Sequence, residues 1–337
     1  MEIPMYDLEV EHIADEIGKR RATRILVQLP DGLRPAAFGI VEALTRLTGA
    51  EIFLSGESCY GACDVALSQA EAVGADLIVH YGHSSLMEDA KIPVLYVEAK
   101  MDFDARALVE KALPLVSKWR RIGLATTVQH VHKLGEVSET LRRSGLKPVV
   151  GSRCERTRYD GQVLGCDYHS AQFVADEVDG YLFVGAGRFH PLGLALATGR
   201  PVVMADPYQL SAEMLSEREV KRLAMRRVAA ITAARNTRRL GIVVSLKPGQ
   251  FQLAVAISLQ NRLEQKGKSV AVICLDTVGP LQLGGFTEAE AFISTACPRI
   301  ALDGVADVRQ PILTVKEAEV MLGERRWEEI WGRNYFG

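Results

Sequence analysis

The chain has 337 residues, and 40 Lys and Arg against 42 Asp and Glu give a formal net charge of −2, which provides no electrostatic reason to expect direct nucleic-acid binding. A hydrophobic share of 48% with 24% charged residues is typical of a globular chain. The first nine residues lack the basic and apolar regions of a secretion signal, and no apolar run approaches the ~18 residues of a membrane span, so we expect a cytoplasmic protein without a membrane segment.

Twelve apolar runs of strand length recur along the chain in three sets of four with similar spacing. They are rich in Val, Ile and Leu and do not alternate with polar residues, which is typical of parallel strands covered on both faces. The sequence therefore predicts three similar parallel sheets. Their strands start near Arg24, Glu51, Asp76 and Pro93, near Arg121, Lys147, Gly180 and Pro201, and near Leu240, Ser269, Ala291 and Pro311.

A stretch of helical period separates the first two strands of each set and ends just before a glycine. A strand, a helix stopped by glycine and a second strand are typical of a right-handed crossover unit. The three stretches are 38–47 before Gly49, 131–143 before Gly145 and 253–265 before Gly267.

This repeat predicts an α/β protein of three homologous parallel-sheet domains around a central site. The predicted domains are residues 1–105, 106–214 and 215–337. A single doubly wound sheet with coincidental spacing is the alternative architecture.

The third domain is predicted to begin with a long amphipathic helix over 215–239. Its apolar stripe is Val220, Leu223, Ala224, Val228 and Ile231. Such a helix usually turns its basic face to solvent, and a docking surface for an acidic partner is the alternative interpretation. The basic residues are Lys221, Arg222, Arg226, Arg227, Arg235, Arg238 and Arg239.

Each set of strands carries at least one cysteine at a strand's carboxyl end, the edge at which ligands bind in parallel sheets. Three such thiols converging at one centre suit a 4Fe-4S cube, because three ligands leave one iron open. Tetrahedral zinc is the rival metal. The six cysteines are Cys59, Cys63, Cys154, Cys166, Cys274 and Cys297.

Five motifs, in order along nearly the whole chain, carry a resemblance to a known family. They are YGACD at 60–64, HYGHS at 80–84, GQVLGC at 161–166, FHPLG at 189–193 and ACPR at 296–299. With them the chain resembles the diphthamide-biosynthesis enzymes that synthesise 2-(3-amino-3-carboxypropyl)histidine. The compact length is similar to that of the archaeal form, which implies a homodimer.

The resemblance implies that Cys63, Cys166 and Cys297 hold a 4Fe-4S cluster, one from each domain. Cys59 departs from the family pattern, and Cys154 and Cys274 match no ligand motif, which favours a structural role for them.

The chemistry that the resemblance implies is a reductive radical cleavage of S-adenosylmethionine. It releases a 3-amino-3-carboxypropyl radical that adds to C2 of a histidine imidazole on translation elongation factor 2, and it requires an electron donor whose identity the sequence does not indicate. Four polar residues at strand ends that face the predicted centre are candidates for binding the cofactor: His83, Gln129, His190 and Gln250. Arg299, beside a predicted ligand, is a candidate partner for a carboxylate.

Two alternatives stay open at this point. A quinolinate synthase-like enzyme would also resemble three α/β repeats holding a cluster by three cysteines, and would act on small metabolites. A non-catalytic, cluster-bearing partner subunit belongs to a different functional class.

Overall fold

The computed structural model describes residues 6–86 and 90–336. The first five residues, part of the stretch predicted to lack a secretion signal, lie outside the described residues. Within the described part of the chain the strands form three separate sheets rather than a single one, which confirms the predicted three-sheet α/β fold. No helix among those residues combines the length and apolar character that crossing a membrane requires.

The three sheets share one strand order. Each places its first strand between the second and the third, with the fourth outside the third, and these four strands are parallel. The strands of the first sheet are β1 (Arg24–Gln28), β2 (Glu51–Leu54), β3 (Leu77–Tyr81) and β4 (Val94–Val97); those of the second are β5 (Arg121–Thr126), β6 (Lys147–Val150), β7 (Gly180–Val184), β8 (Val202–Asp206) and β9 (Ser211–Met214); those of the third are β10 (Arg239–Ser245), β11 (Ser269–Leu275), β12 (Ala291–Ser294) and β13 (Ile312–Thr314).

The twelve predicted strands all occur, and β9 is the addition that the sequence did not predict. It pairs antiparallel with β8 at the edge of the second sheet. Its four residues alternate between exposed and half-buried and form no apolar run, so the pattern that marked the other strands is missing there. The strands of each sheet fall within one of the predicted domains, whose boundaries stay a prediction.

Helices cover both faces of the sheets, and α2, α5 and α9 are the predicted crossovers. Gly49 ends α2 with φ of 70°, a left-handed conformation that favours glycine. The helices are α1 (Val10–Arg20), α2 (Ala37–Thr48), α3 (Leu67–Val73), α4 (Ala105–Ala112), α5 (Leu134–Arg143), α6 (His169–Phe173), α7 (Phe189–Thr198), α8 (Glu217–Arg235), α9 (Leu253–Gln265), α10 (Pro280–Gly284), α11 (Pro298–Asp303), α12 (Val315–Leu322) and α13 (Trp327–Ile330).

Burial on both faces explains why the strands read as unbroken apolar runs. In β1, Ile25 and Val27 pack in one hydrophobic cluster while Leu26, between them, packs in another on the opposite face. Successive side chains of a strand point to opposite faces, so a sheet covered by helices on both sides needs apolar residues at every position.

Helix α8 is shorter than predicted, and the prediction that all its arginines lie on a solvated face is wrong for one of them. Ser216 caps the helix together with Glu219, and β10 already begins at Arg239. Arg227, predicted on the solvated basic face, is buried and donates to both carboxylate oxygens of Glu317 at 2.8 and 2.6 Å. The helical pattern cannot distinguish a solvated arginine from one whose charge is paired inside.

Candidate functional site

The loops at the carboxyl ends of the parallel strands surround a cavity of about 710 Å³, which lies within the usual range for small-molecule sites. Cys63 lies between β2 and α3, Cys166 between β6 and α6, and Cys297 immediately before α11. All three line this cavity. The structure therefore brings together one thiol from each of the three sheets.

The three cysteines do not occupy equivalent places in the repeat. Cys63 and Cys166 follow the second strands of their sheets, whereas Cys297 follows the third strand of its own. The loop after the second strand of the third sheet lines the cavity without a thiol, through Asp276 and Thr277. The convergence therefore depends on how the sheets are arranged and not on an exact threefold repeat.

Burial raises the pKa of all three thiols, that of Cys297 to about 12. Mutual charge repulsion among the three adds to the rise for Cys166 and Cys297, which indicates that the sulfur atoms share one electrostatic environment. Each thiolate therefore lacks enough positive charge nearby, and a cationic metal centre would supply it.

The Gln250 side chain forms a hydrogen bond with the first of these thiols. Its side-chain amide donates to Cys63 Sγ at 3.2 Å, and this bond lowers the thiol pKa against the larger effect of burial. The neighbouring Gly249 N–H donates to the Cys63 carbonyl at 2.9 Å. The loop after β10 therefore holds the cysteine loop of the first sheet.

His83 and Gln129, two of the four predicted cofactor-binding residues, both line the cavity. Burial lowers the pKa of His83 to about 4, so its imidazole is neutral at physiological pH. The Gln129 side-chain amide donates to the Gly82 carbonyl at 2.5 Å, which connects the second sheet to the loop after β3.

His190 and Arg299 form an aromatic and cationic corner of the cavity. Burial, and secondarily the Arg299 charge, lowers the pKa of His190 to about 3. The Arg299 guanidinium lies 3.6 Å from the centre of the Phe189 ring and donates to Asp303. Arg299 Nη1 is buried without a hydrogen-bond partner among the described residues. This corner suits an anionic ligand group.

The other three cysteines are not among the cavity-lining residues that the structure describes. Cys59 is buried with its Sγ 3.9 Å from His80 Nε2. Cys154 Sγ lies 3.6 Å from an Asp167 carboxylate oxygen, and Cys274 is exposed.

Arg156 is a cavity residue that the sequence analysis missed. Its charge favours the thiolates of both Cys63 and Cys166, although burial still raises the pKa of each thiol overall. It lies in the long loop after β6, where no motif marked it, and its position two residues after Cys154 was the available signal.

Comparison with known proteins decides the family. The model of the diphthamide synthesis protein family matches residues 29–332. The chain belongs to this family. It is 36% identical over 332 residues to the 2-(3-amino-3-carboxypropyl)histidine synthase of Pyrococcus horikoshii, covering 97% of this chain and 95% of the relative. It is 29% identical to subunit 1 of the human synthase, covering 98% of this chain and 75% of that subunit.

A solved structure of the diphthamide synthesis family is similar throughout. The crystal structure of Dph2 from Pyrococcus horikoshii with a 4Fe-4S cluster matches with a TM-score of 0.86 and 35% identity, over 96% of this chain and 92% of the other. This membership favours the diphthamide interpretation over a quinolinate synthase-like enzyme.

The residues of the cavity fit an iron–sulfur cluster. Cysteine thiolates are the ligands that such clusters take, and this cavity presents three of them from three separate loops. The Gln250 amide donating to Cys63 Sγ is the kind of hydrogen bond that surrounds cluster sulfur.

Proposed function

We propose that this chain transfers the 3-amino-3-carboxypropyl group of S-adenosylmethionine to C2 of a histidine imidazole on translation elongation factor 2, the first step of diphthamide biosynthesis. The observation that carries the proposal is the meeting of Cys63, Cys166 and Cys297 at one cavity in a chain of the diphthamide synthesis family. When bound, the 4Fe-4S cluster supplies the electron that breaks the bond between the sulfonium sulfur and the γ-carbon of methionine.

The three cysteines are proposed as the protein ligands of the cluster. Their loops come from three sheets, so the three cysteines would hold the cluster only when all three sheets are in place. Gln250 orients Cys63 through the amide-to-sulfur bond, and Arg156 offsets the negative charge that the ligands bring.

S-adenosylmethionine is proposed to bind in the same cavity through His83, Gln129, His190 and Gln250. The two imidazoles are neutral at physiological pH, so each can hydrogen-bond to the cofactor without repelling the sulfonium. The Arg299 guanidinium offers its buried Nη1 to the carboxylate of the methionyl group. Most of the cavity surface is apolar, which keeps water away from a reactive carbon radical.

The protein substrate is elongation factor 2, and the active form is a homodimer acting in the cytoplasm. The net charge of −2 is compatible with a protein partner, and direct binding of nucleic acid or membrane is not part of the proposal.

Label transfer tests the activity. The protein is reconstituted anaerobically, reduced, and incubated with carboxyl-labelled S-adenosylmethionine and elongation factor 2. We expect label on the factor and none on a factor variant that lacks the target histidine. An unlabelled factor, with the cluster intact and reduced, would contradict the proposal and favour a non-catalytic partner subunit.

Single alanine substitutions test the ligand set. Cys63→Ala, Cys166→Ala and Cys297→Ala are each expected to abolish the brown cluster absorption, because a cube held by two thiolates is not retained. Cys154→Ala is the matched control and keeps the absorption. If Cys59→Ala bleaches the protein while Cys63→Ala does not, the first ligand is assigned wrongly.

A further inference from the structure

A second group of metal-binding side chains lies beside the cavity. The ligand atoms of Cys59, His80 and His83 all lie within 4.8 Å of one another, and Cys59 and His80 are buried. His80 Nε2 is 3.0 Å from His83 Nδ1 and 3.9 Å from Cys59 Sγ. None of the proposed cluster ligands belongs to this group.

Hydrogen bonds to Gln28 determine which nitrogen of His80 carries its proton. The Gln28 amide nitrogen donates to the Asp64 carbonyl at 2.7 Å, and its oxygen accepts from Ala66 N–H at 3.0 Å, so the amide orientation is determined. The same oxygen lies 2.8 Å from His80 Nδ1, which must therefore donate to it. In a neutral imidazole this leaves Nε2 unprotonated, so its lone pair faces Cys59 Sγ and accepts from His83 Nδ1–H until an ion takes that place.

This arrangement is the one found around metal-binding histidines. A ligating imidazole usually donates its other N–H to a fixed acceptor, which orients the ring and raises its basicity. Gln28 already provides that acceptor for His80.

The distances also suit one tetrahedral ion. With metal–nitrogen bonds of about 2.0–2.1 Å and a metal–sulfur bond of about 2.3 Å, tetrahedral angles place the two nitrogens about 3.3 Å apart and nitrogen and sulfur about 3.6 Å apart. The observed separations of 3.0 and 3.9 Å each differ from these by only a few tenths of an ångström. Small side-chain rotations would therefore complete the site.

We propose that Cys59, His80 and His83 bind a zinc ion that ties the loop of the first cluster cysteine to the end of β3. Binding removes the Cys59 thiol proton to solvent and moves the His83 proton from Nδ1 to Nε2, so one proton is released for each ion bound. The fourth position takes a water molecule. His83 keeps an N–H donor on Nε2.

The position of Cys59 explains what such an ion would do. Cys59 lies four residues before Cys63, in a connection between β2 and α3 that has no regular secondary structure. His80 lies within β3, and His83 lies two residues after the end of that strand. An ion shared by the two segments would hold the Cys63 loop in place before the cluster is inserted.

The Cys154, Asp167 and His169 group provides a contrast within the same chain. Its ligand atoms also lie within 4.8 Å of one another. However, one Asp167 oxygen already accepts from the His169 backbone N–H at 3.0 Å and its Nδ1 at 2.9 Å, and the other accepts from Cys154 Sγ at 3.6 Å. The carboxylate therefore already accepts from both other members of this group.

Zinc content and zinc-edge X-ray absorption test the proposal on the cluster-loaded, full-length protein. After incubation with zinc chloride and desalting, we expect about one zinc per chain in the unmodified protein and in the control Cys154→Ser, and roughly a tenth of that or less in Cys59→Ser. Iron content of each variant shows whether the cluster site has folded. Equal zinc in Cys59→Ser and the unmodified protein, or no retained zinc in the latter, would overturn the proposal.

The zinc-edge X-ray absorption spectrum of the unmodified protein tests the ligand set of the zinc ion without depending on how the variants fold. We expect one sulfur at about 2.3 Å and otherwise nitrogen or oxygen at about 2.0–2.1 Å around the zinc. A shell of three or four sulfurs would mean that zinc had entered the cluster position, and the proposed site would be wrong.

Discussion

Single side chains determine the electrostatic character of the cavity. The thiols of Cys63, Cys166 and Cys297 are held away from water, which raises the pKa of each, while His83 and His190 are held neutral for the same reason. Burial thus acts in opposite directions on acids and bases, and in both cases it disfavours the charged form. A cationic cluster would instead favour the thiolate form of the three cysteines.

Gln250→Leu is expected to lower the reduction potential of the bound cluster. In the unmodified protein the hydrogen bond from the Gln250 amide to Cys63 Sγ stabilises the extra negative charge of the reduced cluster. Losing a stabilisation of about 1 kcal/mol corresponds to a fall of about 40 mV in the potential for one electron. A redox titration of the loaded protein measures the shift. Gln129→Leu is the matched control, because that amide donates to a backbone carbonyl. Equal shifts in both variants would contradict the assigned role.

His130 is expected to make the fold less stable in mild acid. Burial lowers its pKa to about 4, and its Nδ1 has no partner among the described residues. Between the ordinary value of about 6.5 and pH 4 the unfolded chain binds this proton and the folded chain does not, so the free energy of unfolding falls as pH falls, by up to about 1.4 kcal/mol per pH unit.

Urea unfolding at several pH values measures this effect. His130→Gln is expected to reduce the slope, relative to the unmodified protein, by up to the full contribution of one proton. An unaltered slope in His130→Gln would show that the imidazole titrates alike in both states.

At the scale of elements, α8 is fastened to the third sheet by a buried ion pair. Arg227 bonds both Glu317 oxygens and also donates to the Ala301 and Ile312 carbonyls, each at 2.6 Å. Glu317 in turn caps α12 with Thr314 and accepts from the Tyr335 hydroxyl at 3.0 Å. One arginine therefore connects α8, α11, β13 and α12.

Arg227→Met is expected to lower the free energy of unfolding by roughly 3–5 kcal/mol, because it leaves the Glu317 carboxylate buried without its counter-charge. Chemical denaturation measures the loss. Arg222→Met, at an exposed position of the same helix, should change stability by about 0.5 kcal/mol or less. Similar losses in the two variants would mean that helix propensity or general charge, and not the buried pair, is responsible.

At the scale of the whole molecule, the cavity exists only where the three sheets meet. Contacts between loops of different sheets hold it together: Gln129 to Gly82, Gln162 to Ser84 at 2.9 Å, and Gly249 to Cys63. The last approach is the tightest, since a Cβ on Gly249 would lie 2.6 Å from Cys63 Cα and 3.0 Å from its carbonyl oxygen.

Gly249→Ala is therefore expected to reduce the iron bound per chain several-fold while leaving the separate sheets folded. The added methyl group meets backbone and must push the first and third sheets apart at the cluster. Iron analysis and far-ultraviolet circular dichroism measure the two effects. Gly284→Ala, which meets nothing within 4 Å, is the matched control. Full iron content in Gly249→Ala would show that the loops can separate without loss of the site.

The sequence by itself determined the strands, the crossover helices and the threefold recurrence, because the periodicity of apolar residues is a local signal that burial on both faces makes strong. It also placed Cys63, Cys166 and Cys297 at strand ends, from which their meeting could be expected. It missed β9, which contains no apolar run, and it placed Arg227 in solvent.

Only the tertiary structure decided which polar groups face one another. The hydrogen bond from Gln250 to Cys63 joins residues 187 positions apart. The series of hydrogen bonds from Gln28 through His80 to His83 depends on backbone groups of another loop. Charge pairing, hydrogen-bond direction and burial are properties of neighbours in space. They set the pKa values and the proton positions on which the chemistry of the site depends.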